Sequence, residues 1–450
     1  MFSVALGAIL WASVTGARGD LALLDSLSRS AFRYFWEQSN PTTGFTKDRA
    51  RNSEQGDLYD IASVAATGFA LAAYPIGVER TWVSREAALE RTLRTLKALR
   101  DVAPREHGWF YHWFHWQTGE RIWQCEVSSI DSAILFAGMI VAERYFADEN
   151  VTRLVGAILD DVDWMWMLTD GGDRPQSLTF SHGWTPEMGF LSVRWGSYCE
   201  HMILYILGLG SDDRVPAGVW EAWVRPVVTI EGYDMLAGGP LFMHQLSHVF
   251  VDFRDRRDRL GYDYWVSSRN ATLANRQYCH TNPKGFHGYD EDVWGLSASD
   301  HPEGYTAHGL PPWGDDNGTI APSSAVASVF LCPEESMAAA RAIAERYPSI
   351  LGRYGFSIAF NPTREWVSPD VVGIDLGMML LGIESYRTGL PQRLFMSHPV
   401  GQLGMQRAGL RVTTEGPASL RRLWLAPSAP AGRTSPALRR LQPRTAFGGW

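Results

Sequence analysis

Apolar residues recur with a helical period from about residue 20 to residue 387, and the helical segments are joined by connections that alternate between long and short. The periodicity predicts twelve helices, near 20–38, 57–74, 82–101, 127–147, 150–168, 197–209, 216–229, 239–254, 258–280, 321–330, 333–347 and 372–387. After odd-numbered helices the connections are mostly long: about 39–56, 102–126, 169–196, 230–238, 281–320 and 348–371. After even-numbered helices they are short, as at 75–81, 148–149, 210–215, 255–257 and 331–332. A short link makes two helices antiparallel neighbours. Antiparallel succession then gathers the long loops at one end, where the even helices begin. Long ordered loops usually carry function.

The even helices read as an inner layer. Ser132 to Gly138, Ile203 to Gly208 and Ile374 to Gly382 are apolar and rich in small residues. The odd helices carry charged faces, as from Arg85 to Arg94 and from Glu334 to Arg346. Two layers of six helices describe an all-α fold, an (α/α)6 toroid. Alternating strand patterns are rare, so β-structure is expected only as short hairpins within loops.

Composition narrows the function. Net charge is −8, which argues against nucleic acid as a partner, because phosphate binding needs a basic face. The 19 Trp among 450 residues suit either a large aromatic core or flat platforms for sugar rings. Four scattered cysteines (Cys125, Cys199, Cys279, Cys332) form no CxxC pair and neither demand nor exclude disulfides. Residues 1–19 read as a signal peptide, with an apolar core from Phe2 to Ala17, and imply export to the periplasm or beyond. No later segment is apolar enough to span a membrane. The domain is expected at 20–409, with a Pro- and Arg-rich, partly disordered tail at 410–450.

Acids near the starts of even helices are the sharpest chemical signal. Glu126 and Asp131 open the fourth helix, behind an aromatic run from Gly108 to Trp116. Glu200 stands just before the apolar run Met202 to Leu207, where desolvation would raise its pKa. Asp375 is a single acid inside an apolar inner helix, costly unless paired or functional. Each of these also fits a simple helix cap or first-turn acid. The loop 286–321 adds Asp290, Glu291, Asp292, Asp300, Asp315 and Asp316 among aromatic residues, a set that suits sugar hydroxyls or calcium. There is no HExxH, GxSxG or Walker motif, and His244 with His248 lacks a third metal ligand, so neither metal nor cofactor is expected. Paired carboxylates at one end of a toroid suit glycoside hydrolysis, in which one acid protonates the leaving oxygen and a second activates water or attacks carbon. A polysaccharide lyase or a non-catalytic glycan-binding protein on the same fold stays open.

Several stretches, in their order, resemble the glucoamylase-like domain family that includes endo-β-1,2-glucanases (glycoside hydrolase family 144). They are Glu126 to Asp131, YCEHMILYILGLG from Tyr198, GPLFMHQLSHVFVD from Gly239, SRNATLANRQYC from Ser268, VWGLSASD from Val293, DNGTIAP from Asp316, and Gly373 to Gly389. The resemblance runs from about Leu23 to Gly409. It implies an (α/α)6 barrel and cleavage of β-1,2-linked glucan with inversion at the anomeric carbon. By position it implies Glu200 as general acid and Asp375 as the base-side acid. Glu126 and Asp131 would hold sugar or water. The wider set expected to hold sugar is Trp109, Trp113, Trp184, His244, Arg269, Glu291, Trp294, Asp316 and Asn317, with Trp313 beside them. Three features depart from the pattern: Cys199 where serine is common, Leu376 and Met378 where Gln and Pro are expected, and the acidic run Asp290 to Asp292.

Overall fold

In this computed structural model the described residues are 2–53 and 59–413, with side chains described from residue 19 onward. Among them the helices are α1 (Phe2–Glu37), α2 (Val64–Glu79), α3 (Arg85–Asp101), α4 (Ser129–Phe146), α5 (Glu149–Asp160), α6 (Trp164–Thr169), α7 (Met202–Ser211), α8 (Val219–Ala222), α9 (Tyr264–Thr281), α10 (Pro322–Ala327), α11 (Pro333–Arg346), α12 (Gly373–Arg387), α13 (Leu390–Ser397) and α14 (Pro399–Arg407). No helix among the described residues is long and apolar enough to cross a membrane. The side chains of the expected signal peptide, to residue 18, and residues 414–450 of the expected tail lie outside the described residues.

Small residues set the inner ring. Helices α2 and α4 cross at Gly68 and Gly138, where a Cβ on Gly138 would lie 2.0 Å from the Gly68 carbonyl oxygen. Helix α12 meets α2 where Gly377 faces Phe69, and meets α10 where a Cβ on Gly382 would come within 2.5 Å of Ala327 O. A helix-interior glycine costs about 1 kcal/mol relative to alanine, and here the close backbone approach explains it. Ile203 N donates to Ser247 Oγ at 3.0 Å, and Gln245 Nε2 donates to Ser324 O and Ser328 Oγ at 2.7 Å each. These bonds close the ring through the segment between α7 and α10. Helices α1, α3, α5, α9 and α11 form the outer layer, and the toroid expected from the loop alternation is the observed fold.

Two expected helices take other forms. Segment 216–229 holds only the short α8, after which Val227–Ile230 pairs with Tyr233–Leu236. A β-branched run followed by Glu231 and Gly232, both at positive φ (50° and 85°), makes a two-residue hairpin that overrides the helical period. Segment 239–254 is two 3-10 turns, Leu241–His244 and Leu246–Val249, after Pro240. Leu241 N donates to Leu296 O and Phe242 N to Ser297 Oγ, so tertiary contacts take the first donors. The predicted helix 150–168 is split into α5 and α6, where Asp163 caps the second piece. Helices α13 and α14 were not expected. They cover the end opposite the long loops: Arg144 Nε donates to Ser397 Oγ, and Gly210 lies against Val400. The chain then pairs Arg411–Val412 with Arg256–Arg257, so ordered structure continues past the expected boundary at 409.

Candidate active site

Short antiparallel pairings build the mouth of the ring. Ile61–Ser63 pairs with Trp113–His115, Arg49–Arg51 with Asp370–Val372, and Val127–Ser128 with Gly183–Thr185. Each puts a loop beside the first turn of an inner helix. Gly373 N donates to Asp48 O at 2.7 Å, Val64 N to His112 O at 3.1 Å, and His112 N to Glu126 O at 2.9 Å.

On the α4 side, Ser128 caps the helix and its Oγ donates to Asp131 Oδ2 at 2.5 Å. The His112 ring lies between two acids, with Nδ1 2.9 Å from Glu126 Oε1 and Nε2 3.5 Å from Asp131 Oδ2. It stacks on Trp113 with centroids 3.4 Å apart, and Trp113 Nε1 donates to Asp48 Oδ1 at 3.3 Å. Burial opposes a charge on His112, yet Asp131 and Glu126 push its pKa up to about 9. Against burial, the imidazolium holds Glu126 below its ordinary value, while burial raises Asp131. His182 also feels Glu126, but it is stacked on Trp195, and burial drops its pKa to about 4. The ring with acids on both nitrogens carries the charge, and His182, stacked on Trp195, stays neutral.

Glu200 lies just ahead of α7, where Ser247 Oγ donates to its backbone oxygen at 2.6 Å. The Cys199 thiol donates to its Oε2. Burial raises the Glu200 pKa, the thiol contact and its own backbone pull it back, and the Asp131 charge adds to the rise.

On the α12 side, Asp375 occupies the first helical turn and is only 4% exposed. Burial, then the charges of Asp300 and Asp48, push it up to about 8. Arg49 donates to Asp300 at 3.3 and 3.4 Å and to Asp370 at 3.5 Å. Asp370 also accepts from Tyr59 at 2.8 Å. Burial and the Asp375, Asp300 and Asp48 charges hold the Tyr305 phenol well above its ordinary value.

The mouth therefore brings together Glu126, Asp131, Glu200, Asp375 and Trp113. Other expected sugar contacts are placed elsewhere. Trp109 and Trp294 are fully buried in the core, with no ring face for a ligand. Arg269 is exposed on the outer helix α9, and Glu291 is exposed and paired with Arg276 at 2.5 Å. The Asp316 carboxylate accepts from Tyr278 at 2.9 Å, Tyr289 at 2.7 Å and Gly318 N at 3.2 Å, which makes it a loop anchor. Asn317 lies in the same turn, accepting from Thr319 N. His244 is buried, with Nδ1 3.0 Å from Tyr198 OH, and burial lowers its pKa to about 4. Trp184 is half-buried and packs edge-on to Trp166. Trp313 is 47% exposed in its loop.

Sequence reasoning missed Asp48, Arg49, His112 and Asp370, whereas Asp300 stood among the acids expected in the loop 286–321. His112 lay within the noted aromatic run, and Asp300 closed a noted motif. The adjacent Asp48 and Arg49 carried no spacing signal, because Asp48 meets Trp113 65 residues away and Arg49 meets Asp300 and Asp370 more than 250 residues away. Among the described residues no cluster of three or more His, Cys, Asp or Glu side chains could hold a metal ion.

Residues 192–399 match a family model, Glycoamylase, described as "Putative glucoamylase". A structure under the same description from Bacteroides caccae is 31% identical, with 88% of this chain and 100% of that chain covered and a TM-score of 0.80. An endo-β-1,2-glucanase from Chitinophaga pinensis, solved with sophorotriose and glucose, is 29% identical over 87% of this chain and 98% of that one, with a TM-score of 0.80. A curated relative, the exo β-1,2-glucooligosaccharide sophorohydrolase (non-reducing end) of Parabacteroides distasonis, is 30% identical over 86% of this chain. This chain spans 58% of the length of that relative.

Proposed function

This chain belongs to the glycoamylase family, and on that premise we propose that it is a glycoside hydrolase that cleaves β-1,2-linked glucan with inversion. The observation that carries the reading is the pair of acids opening two inner helices, Glu200 before α7 and Asp375 in α12, both with raised proton affinity in the acid-lined mouth. A β-1,2-glucanase and a β-1,2-glucooligosaccharide hydrolase among the relatives support the linkage.

Glu200 is the general acid. Burial raises its pKa and so favours the protonated carboxyl, and the proton passes to the glycosidic oxygen as the bond to the anomeric carbon breaks. Asp375 is the base. With its pKa pushed up to about 8, the carboxylate is a strong base once ionised, and it takes a proton from the water that attacks the opposite face of the anomeric carbon. The product hemiacetal then has inverted configuration. His112 holds Glu126 and Asp131 in place for sugar hydroxyls.

The test is a reducing-sugar assay on linear β-1,2-glucan, with proton NMR of the first product. Glu200→Gln is expected to lower turnover by roughly 10³-fold, since an amide cannot donate the proton. Equal turnover in both proteins would remove Glu200 as the acid. A product of retained configuration would remove the inverting mechanism, and cleavage of a differently linked glucan alone would remove the substrate assignment.

A further inference from the structure

Trp123 is 49% exposed, although an indole gains more from burial than almost any side chain. Its backbone is left-handed, with φ of 53°, and Gln124 follows at 50°. Bulky residues rarely adopt this conformation, and it persists only where the surroundings impose it. Here they do. Arg121 Nε donates to Cys125 O at 2.7 Å, and Cys125 N donates to Ile122 O at 3.0 Å. Cys125 Sγ donates to Trp113 O at 3.1 Å and accepts from Trp113 N at 3.3 Å.

The displayed ring is also aimed. Trp123 stands edge-to-face with Trp113, centroids 5.7 Å apart. Trp113 in turn stacks on His112, the ring that bridges Glu126 and Asp131. An exposed indole is thus linked to the acids of the α4 side through two aromatic rings, Trp113 and His112. Beside it, Arg121 and Glu187 form a two-pronged ion pair at 2.8 and 3.0 Å on the protein surface. A glucopyranose ring has the matching chemistry: an apolar face of C–H bonds to lie on the indole, and a hydroxyl edge for charged neighbours.

We propose that Trp123 is a sugar platform that binds a glucosyl unit away from the bond being cleaved and so favours longer substrates. This rests on the hydrolase reading above. The contact acts on chain binding, while the bond-breaking step belongs to Glu200 and Asp375.

The test separates binding from turnover. In a Glu200→Gln background, retardation of the full-length protein is measured in gels containing β-1,2-, β-1,3- or β-1,4-linked glucan. Adding Trp123→Ala is expected to weaken binding roughly tenfold, and Trp123→Phe to restore most of it, as loss and return of a stacking face would. In the active enzyme, Trp123→Ala should raise KM for long glucan by the same factor with kcat held within about twofold. Unchanged retardation in Trp123→Ala, or a fall in kcat with no change in binding, would overturn the platform. If the parent binds only a differently linked glucan, the β-1,2 assignment fails and the platform is judged on that polymer. If the parent binds none of the three, both proposals fall.

Discussion

The two sides of the mouth handle buried negative charge in opposite ways. On the α4 side a titratable cation, His112, sits directly on its acids, and Glu126 is held as an anion. On the α12 side the permanent cation, Arg49, directs its fork at Asp300 and Asp370. At Asp375 burial and like charges outweigh its backbone hydrogen bond and the Arg49 charge, and its pKa climbs to about 8. Both sides open an inner helix, and both put an acid in its first turn. The helix terminus alone therefore does not decide the protonation state. A cation in direct contact lowers Glu126, while the two first-turn acids, Asp131 and Asp375, are both raised by burial.

Asp375→Asn should break the comparison most severely. Turnover is expected to fall by roughly 10³-fold, the range for losing a general base. Stability should move the other way. The folded state keeps a proton on Asp375 that the unfolded chain releases, so stability declines from the ordinary value of 3.8 up to about 8 and stays reduced above it. The neutral variant lacks that penalty, on the order of a few kcal/mol, and should melt at higher temperature than the wild type at pH 8.5. A lower melting temperature there would show that Asp375 is not a strained acid.

His112→Gln tests the other side. Losing one charge-assisted contact should lower turnover by roughly tenfold. His112 has a raised pKa, so its contribution to stability is full below 6.5 and is lost as pH rises through about 9. Glu126 is depressed, so the same interaction is also lost as pH falls through its folded value, below the ordinary 4.5. Melting curves across pH should show the variant's deficit greatest between about 4.5 and 6.5 and gone near 10. A deficit that does not vary with pH would mean that packing on Trp113, and not charge, is the role of His112.

The smallest effect is expected from Glu291→Ala. The residue is exposed, and its pair with Arg276 lies on the outer layer. Stability should change by less than about 0.5 kcal/mol, and glucan turnover should stay within about twofold. A large loss of turnover would return Glu291 to the mouth and redraw its edge.

The layer order and the end at which the inner helices begin were legible in the chain alone. Helical period, small residues on alternate helices and unequal loop lengths are local properties, and they sufficed for the toroid and for acids at inner-helix starts. Asp131, Glu200 and Asp375 were legible because each stands at or beside an apolar run at a helix start, and Glu126 because it follows the aromatic run just ahead of α4. Local pattern failed where tertiary contacts took over the backbone, as in Leu241–Val249, and where residue type suggested a sugar contact but packing turned the side chain inward, as for Trp109 and Trp294. Which cation meets which acid was settled by long-range packing. Arg49 reaches Asp300 and Asp370 across more than 250 residues of chain, while His112 reaches Glu126 across 14. Charge interaction falls with distance in space and with solvent screening, neither of which is written in sequence separation. The protonation states on which the chemistry depends therefore arise only when the ring closes.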